Sequence, residues 1–227
     1  MINHHMHAAL AHERAVTFLT EAQAARQAKQ ARTGRRRRPA RPQSVAEGTP
    51  TVLRDGSAVL IRQVRGSDAP LLADGFARLS ARSRQMRFLS PKHSLSAAEL
   101  RFFTEVDHHD HEAIGALSAA DGRGVGIARY IRDSGDPTAA EIAVTIVDDW
   151  QGRGLGTELL AQLSGRARAA GIRRFTALVS ADNAAMIALL RRLCADPVHR
   201  EHGTVEWEIP LAPTESPCAG LLASLPG

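Results

Sequence analysis

The hydrophobic positions between residues 51 and 211 fall into short runs that are rich in β-branched side chains and bounded by Gly, Pro, Asp or Ser. This is the pattern of β-strands. It predicts a hairpin over residues 52–62 with a turn at Asp55 and Gly56, and further strands over residues 113–117, 125–131, 140–147, 175–179 and 204–211. Only short turns separate the three strands between residues 113 and 147, so we expect an antiparallel meander.

Helical spacing of apolar residues marks four segments between these strands. Helices are predicted to open at residues 67–70, to span residues 96–104, and to run from Asp182 to about Leu193. The longest helix follows residue 154 and ends at Gly171, with one apolar face formed by Leu155, Leu159, Leu160, Leu163 and Ala167. Residues 80–91 are expected to form a loop. The strand at 175–179 follows a helical crossover and should lie parallel to the strand at 140–147.

Charge divides the chain into unequal parts. Residues 1–50 hold nine Lys or Arg and three Asp or Glu, giving +6, whereas residues 51–227 hold 20 and 21, giving −1. The sequence therefore predicts a basic arm (residues 1–50, a helix and a disordered linker), a folded domain (residues 51–211) and a disordered tail (residues 212–227). The arm is either solvated or a contact for an acidic partner, an anionic membrane or nucleic acid.

Membrane, export and metal functions find little support in the sequence. No apolar run is long enough to cross a bilayer and no signal-peptide core follows Met1, which predicts a cytoplasmic protein. Two cysteines lack metal-ligand spacing, and no metal site is predicted. The histidine-rich clusters are also poor metal sites, because one lies in the arm and the other runs consecutively along a strand entrance: His4, His5, His7 and His12, and His108, His109, Asp110, His111 and Glu112.

The stretch from residue 141 to residue 157 carries the clearest chemical signal. A buried strand leads into a turn with glycines at 152, 154 and 156, and a helix begins directly behind it. Free N–H groups and the positive end of the helix dipole then converge on one place, a suitable site for phosphate, and Arg153 can add charge. Nucleotide loops of the P-loop and Rossmann types are excluded by the missing Lys and the glycine spacing. A plain tight connection remains the alternative.

The loop has the pattern Gln-x-x-Gly-x-Gly at Gln151, Gly154 and Gly156, and resembles the pyrophosphate-binding loop of the GNAT N-acetyltransferases. Scattered matches (residues 53–56, 79–80, 87–88, 106–107 and 140–141) look like the catalytic domain of the bacterial Pat-type protein lysine acetyltransferases. The resemblance implies a GNAT fold: α/β (α+β), a mixed, mostly antiparallel sheet with a splayed parallel strand pair, flanked by helices. It implies that acetyl-CoA is the cosubstrate and is bound by Ile146, Val147, Gln151, Gly152, Arg153, Gly154, Leu155, Gly156, Thr157 and Asn183.

Glu141, at the head of the strand, is the predicted catalytic residue. A lysine amine with a pKa near 10.4 must lose a proton before it attacks a thioester, and a partly desolvated Glu141 would accept it as general base. The alternative for Glu141 is an ion pair with Arg82, Arg84 or Arg87. The resemblance further implies that a main-chain N–H near Ile146 stabilises the oxyanion.

The sequence thus predicts an N-acetyltransferase that acts on an amine, favouring a protein lysine over a small molecule. A non-catalytic acyl-CoA sensor is the rival hypothesis, since Leu189 and Leu190 stand where many GNAT enzymes place a Tyr that protonates the leaving thiolate. A nucleic-acid-tethered interaction protein is a third hypothesis, and it rests on the arm alone.

Overall fold

The computed structural model describes residues 48–211, so nearly all of the predicted arm and all of the predicted tail lie outside the described residues. Eight strands form one sheet in the order β1-β2-β3-β4-β5-β6-β8-β7. They are β1 (Thr49–Val52), β2 (Ala58–Gln63), β3 (His111–Ser118), β4 (Gly124–Arg132), β5 (Ala139–Ile146), β6 (Arg174–Ser180), β7 (Asp196–Glu201) and β8 (Thr204–Pro210).

Every neighbouring pair of strands is antiparallel except β5 and β6, which are parallel. Their pairing covers only three positions, from Ala139 opposite Arg174 to Glu141 opposite Thr176. Because β5 continues to Ile146 and β6 to Ser180, the carboxyl halves of the two strands separate and leave a cleft. The predicted splayed parallel pair is confirmed.

Within residues 48–211, five helices flank the sheet: α1 (Ala69–Ala77), α2 (Ala81–Phe88), α3 (Ala97–Thr104), α4 (Leu155–Ala169) and α5 (Ala184–Arg192). The apolar stripe of α4 is buried with Ala128, Tyr130 and Ile142 of the sheet and with Leu190 of α5. The helices α1 to α3 cover the opposite face, where Ile127 and Arg129 point by the alternation of β4. No helix within residues 48–211 is long and apolar enough to cross a membrane.

Close packing of α4 fixes where the glycine loop sits. A Cβ atom at Gly126 on β4 would come within 2.8 Å of the side chain of Ile146 and within 3.1 Å of the side chain of Leu155. Residue 126 therefore has to be small for the first turn of α4 to rest on the end of β5. The start of the helix and the end of the strand are held together as one unit.

Two predicted elements differ from the structure, and one strand was missed. Residues 80–91 do not form a loop, because Ser80 caps α2 through its side chain, which accepts a hydrogen bond from the N–H of Ser83 at 3.1 Å. The helix predicted to run from Asp182 begins at Ala184, and the side chain that caps it belongs to Asn183. The edge strand β7 was missed because all its residues are exposed and it contains Pro197, so it has neither alternation nor an uninterrupted run of ladder donors.

Candidate active site

The glycine loop joins β5 to α4 through a single 3-10 turn, Asp148–Trp150. Gly152 has φ +76° and Gly154 has φ +93°, left-handed values that favour glycine. The first bonds of α4 run from the N–H groups of Thr157 and Glu158 to the carbonyl of Gly154. The N–H groups of the two residues between, Leu155 and Gly156, therefore precede the helical ladder and point out of the helix N-terminus.

The loop fits closely between two neighbours. A Cβ atom at Gly154 would lie 3.0 Å from Nε of Arg54, and one at Gly156 would lie 3.4 Å from Cδ2 of Leu189 on α5. Arg54, from the β1–β2 turn, thus places a guanidinium beside the loop. Sequence reasoning did not assign Arg54 to the cofactor, and only the antiparallel order of β1 and β2 brings it there.

Arg153 is held against the β1–β2 turn. Its guanidinium donates to Oγ of Ser57 at 3.0 Å and to the carbonyl of Asp149 at 2.6 Å, lies 3.2 Å from the carboxylate of Asp55 and stacks over the ring of Trp150. The side chain is half-buried and its charge is partly balanced by Asp55. Arg153 therefore braces the loop and adds less net charge than its sequence position suggested.

Gln151 links the loop to the end of β5. Its side-chain amide donates to the carbonyl oxygen of Ile146 at 3.1 Å, to Asp148 at 3.2 Å and to Oγ of Ser83 on α2 at 3.3 Å. Three separate elements thus meet at one amide. Gln151 therefore helps to shape the cleft, and its side-chain N–H groups form hydrogen bonds with other residues of the protein.

The main chain of β5 directs the N–H of Ile146 toward the cleft. The N–H of Val147 donates to the carbonyl of Val125 on β4 at 3.0 Å, which makes Val125 and Val147 a hydrogen-bonded pair of the antiparallel ladder. The next pair, Gly126 and Ile146, is then a non-hydrogen-bonded pair, so the N–H of Ile146 points toward β6. Since β6 has already diverged from β5 there, this N–H faces the cleft.

The other residues predicted to bind the cofactor take different positions. Leu155 is buried in the core, so only its backbone faces the loop. Both main-chain groups of Val147 are occupied, because its carbonyl accepts a hydrogen bond from the N–H of Trp150. The Asn183 side chain accepts a hydrogen bond from the N–H of Met186, which places Asn183 at the carboxyl end of β6 on the other side of the cleft.

Glu141 lies where β5 and β6 still pair, and it is solvent-exposed. The expectation that its carboxylate is partly desolvated is therefore wrong, because β5 turns position 141 away from the core formed by Ala140 and Ile142. The charge of Glu141 also acts on Arg87 of α2. Burial lowers the pKa of Arg87, and the negative charge of Glu141 opposes that shift. This charge interaction supports Arg87 as a partner of Glu141 in the ion-pair alternative.

The second histidine cluster is organised around a buried carboxylate. Glu112 accepts a hydrogen bond from Gln63 at 3.1 Å and contacts Nδ1 of His108 at 2.7 Å. Burial would raise the pKa of Glu112, but these hydrogen bonds and the charges of His108 and Arg166 bring it below its usual value. Within residues 48–211 no three His, Cys, Asp or Glu side chains are grouped for a metal ion.

Tyrosine cannot supply the acid in this site. The sequence contains one tyrosine, Tyr130, which is buried and donates its hydroxyl to the carbonyl of His109. Burial, helped by the charge of Glu112, raises the pKa of Tyr130 to about 12. The leaving thiolate, with a pKa near 8.5, must depart without a tyrosine.

The fold, the glycine loop and the diverging strands together define an acyltransferase architecture, and comparison with known proteins agrees. Residues 58–194 match the family model described as acetyltransferase (GNAT) domain. The chain belongs to the GNAT acetyltransferase family, which confirms the predicted family and the predicted enzyme class, an acyl-CoA-dependent N-acetyltransferase. Acetyl-CoA as the cosubstrate agrees with that class.

Among its relatives is the acetyltransferase Pat of Mycolicibacterium smegmatis, 33% identical over 167 residues, which are 74% of this chain and 50% of the relative. The chain thus spans half the length of that relative. The GNAT domain of S. lividans PAT, known from a crystal structure, is 30% identical, with a TM-score of 0.69 over 74% of this chain and 99% of that chain. An acetyltransferase of Salmonella typhimurium, solved with its cofactor acetyl-CoA, shares the fold at 19% identity and a TM-score of 0.55, over 70% of this chain and 97% of that chain.

Proposed function

We propose that the protein transfers the acetyl group of acetyl-CoA to an amine, with a protein lysine as acceptor and direct attack on the thioester. The observation that carries the proposal is that two sets of main-chain N–H donors face the same cleft. The Ile146 N–H faces the cleft, and the N–H groups at the start of α4 lie at its end. One cofactor can reach both, with its pyrophosphate on the helix N-terminus and its thioester beside β5.

In this arrangement the N–H of Ile146 donates to the oxygen of the thioester carbonyl as negative charge develops on it. A donor fixed by the sheet needs no reorganisation during the reaction, which is why such groups stabilise transition states well. Gln151 holds the carbonyl of the same residue and so keeps the peptide unit from rotating. Gly152, Gly154 and Gly156 keep the phosphate position clear of side chains.

Glu141 acts as the general base for the incoming amine. Its exposure allows solvent to carry the proton onward, directly or through one water. An exposed carboxylate is a weak base toward a lysine with a pKa near 10.4, so proton removal is expected to limit the rate at neutral pH. The positive charge of Arg87 nearby stabilises the carboxylate form.

The choice of a protein lysine as acceptor is supported by the similarity to the two Pat proteins. A small-molecule amine is the alternative acceptor, and an acyl-CoA sensor without turnover is the alternative function. Contacts of the basic arm with an acidic partner or nucleic acid stay a prediction, as does a cytoplasmic location.

The decisive experiment incubates the full chain with labelled acetyl-CoA and a cell extract and locates the label by mass spectrometry. Transfer to protein lysines by the wild type, reduced in Glu141→Gln, supports the proposal. Label on small amines alone shifts the acceptor to the alternative. Tight binding of acetyl-CoA without label on any acceptor would establish the sensor instead.

A further inference from the structure

A cavity of about 90 Å³ lies between helices α1 to α3 and the sheet, on the face that carries Glu141. Its walls are almost entirely apolar and include Leu72, Phe76, Phe88, Phe103, Ile127 and Val147. The mechanism proposed above uses none of these side chains.

Four charged side chains line this cavity: Arg62, Asp68, Arg87 and Arg129. Arg62 and Asp68 pair with each other through two hydrogen bonds of 2.7 and 2.8 Å. The single carboxylate of the lining is thereby engaged. Arg87 and Arg129 contribute two further positive charges. Glu141, outside the lining, partly offsets the charge of Arg87, and no carboxylate of the lining offsets the charge of Arg129.

Arg129 is the unusual member of this set. It is 5% exposed, and its Nη1 has no hydrogen-bond partner among residues 48–211. Its guanidinium stacks on the ring of Phe103 at 4.0 Å, which fixes its direction without giving Nη1 a hydrogen-bond acceptor. Burial, and then the like charge of Arg87, lower the pKa of Arg129 well below its usual value. A buried cation in this state destabilises the fold unless an anion joins it.

The register of the sheet places this cation near the reaction centre. Arg129 on β4 lies opposite Ala143 on β5, so Glu141, Ala143 and Thr145 share its face of the sheet. Thr145 and Val147 line the cavity, and Ile146 lies between them. A ligand in the cavity would therefore reach β5 beside the proposed oxyanion donor.

We propose that Arg129, assisted by Arg87, binds the carboxylate of one of the two reactants. A guanidinium suits this ligand because its fork of N–H groups matches the two oxygens of a carboxylate. The inference rests on the proposed acyl transfer but extends it beyond the acetyl group and the protein lysine. The carboxylate belongs either to the acyl group of a dicarboxylic acyl-CoA, used in addition to acetyl-CoA, or to a small amine, the alternative acceptor named above. The apolar walls accept the carbon chain between the carboxylate and the reacting atom.

Calorimetric binding of free succinate tests the site, with uncharged succinamide as the matched probe. The wild type should prefer succinate, and Arg129→Gln should weaken succinate binding about 10- to 100-fold, which corresponds to one charge-assisted hydrogen bond. Arg168→Gln on α4 removes an equal charge from the opposite face of the sheet and should leave binding unchanged. Equal affinity for succinate in wild type and Arg129→Gln, or no preference for succinate over succinamide, overturns the inference.

Arg129→Lys replaces the Gln variant if the latter does not fold. It keeps the charge but loses the fork, and succinate binding as tight as that of the wild type would overturn a guanidinium site. Two further measurements identify the source of the carboxylate. If the wild type binds succinyl-CoA more tightly than butyryl-CoA and the variant does not, the carboxylate belongs to the acyl group. If succinate still binds when the protein is saturated with acetyl-CoA, the carboxylate belongs to the acceptor.

Acetyl-CoA binding is measured on the same samples. A wild type that fails to bind acetyl-CoA defeats the proposed acetyl transfer. If the wild type binds acetyl-CoA but the affinity for succinate is the same in the wild type and in Arg129→Gln, only the carboxylate site is overturned.

Discussion

The side-chain amide of Gln151 donates to the carbonyl oxygen of Ile146 at 3.1 Å, so the cofactor loop and the end of β5 are joined by a direct hydrogen bond. That carbonyl and the N–H of Ile146 leave the strand on the same side. The glutamine of the loop motif is therefore expected to act on the geometry of the proposed thioester site, although it belongs by sequence to the predicted phosphate site.

Replacement of Gln151 should affect turnover more than cofactor affinity. Gln151→Ala removes the anchor of the Ile146 peptide and should lower kcat roughly tenfold, the equivalent of about 1.4 kcal/mol, while the Kd for acetyl-CoA changes little. Steady-state rates and calorimetry measure the two effects. Gln162→Ala is the control, because Gln162 bonds only to Glu158 on the same helix. An unchanged kcat in Gln151→Ala would show that the peptide needs no anchor.

Bulky residues in the loop should abolish cofactor binding. Gly154→Val places a β-branched residue at φ +93° and against Arg54, and Gly156→Val presses on Leu189. Acetyl-CoA should then fail to raise the Tm, whereas it should stabilise the wild type by about 2.7 kcal/mol at 100 times its Kd.

Gly165→Ala in the middle of α4 is the control for these loop variants, because a Cβ there meets no atom within 4 Å. It should bind acetyl-CoA as the wild type does. If the two valine variants fold and bind normally, the glycine turn is a plain connection.

Removal of the proposed base should lower turnover without loss of cofactor. Glu141→Gln cannot accept a proton, so its rate at pH 7 should fall by roughly 10² to 10⁴. The rate should recover partly as the pH approaches the pKa of the amine, near 10.4, since free amine then forms without a base. Initial rates against pH for wild type, Glu141→Gln and the control Glu206→Gln on β8 test this.

The ion-pair alternative makes the opposite prediction for the same variant. If Glu141 serves only to balance Arg87, both Glu141→Gln and Arg87→Met should change the Tm while the rate of Glu141→Gln stays near that of the wild type. Equal rates at pH 7 would remove Glu141 from the mechanism.

The Arg62–Asp68 pair should make stability depend on acidic pH. Burial would raise the pKa of Asp68, but hydrogen bonds and charge from Arg62 bring it below its usual value. A lowered folded-state pKa stabilises the protein above the unfolded pKa, about 3.9, and this stabilisation is lost as the pH falls through the folded pKa.

Asp68→Asn should therefore lower the free energy of unfolding by about 3 kcal/mol at pH 7, since both side chains are only 13% exposed. The deficit should shrink as the pH drops below 4. Asp74→Asn is the control: its pairs with Arg78 and Arg123 are 42% exposed on the Asp74 side and should contribute at most about 1 kcal/mol. A constant deficit from pH 7 to pH 3 would exclude titration of Asp68.

A chain that begins at residue 44 should fold and bind acetyl-CoA as the full chain does. The loop, the cleft and the cavity are built from residues 48–211, and the excess positive charge lies before residue 50. Thermal melting with and without acetyl-CoA compares the two chains. Aggregation of the shorter chain, or loss of its response to acetyl-CoA, would contradict the predicted domain boundary.

The sequence predicted the parts of the fold that repeat a local rule. Short apolar, β-branched runs bounded by turn residues located β3, β4 and β5, and glycine spacing located the loop, because each feature depends on near neighbours in the chain. Helix α2 escaped notice since its residues are mostly polar and charged, with Met86 and Phe88 as its large apolar side chains. Its helical form depends on the cap at Ser80 and on packing against the sheet.

The environment of single side chains depended on the register between distant strands and could not be predicted. Glu141 was expected to be partly buried, and the register of β5 makes it exposed. Arg129 sits in an ordinary strand pattern and gave no signal, yet pairing of β4 with β5 buries it in an apolar cavity. The position of Arg54 beside the loop likewise depends on a contact with Gly154, 100 residues away in the chain.

The parting of β5 and β6 after three paired positions has a consequence for redesign of the protein. The opening is made by main-chain direction, and its proposed donor is a peptide N–H that every residue except proline possesses. Substitutions at most neighbouring side chains should therefore leave both the opening and the donor intact. The side chains around the opening can then be exchanged to fit another acceptor or acyl group.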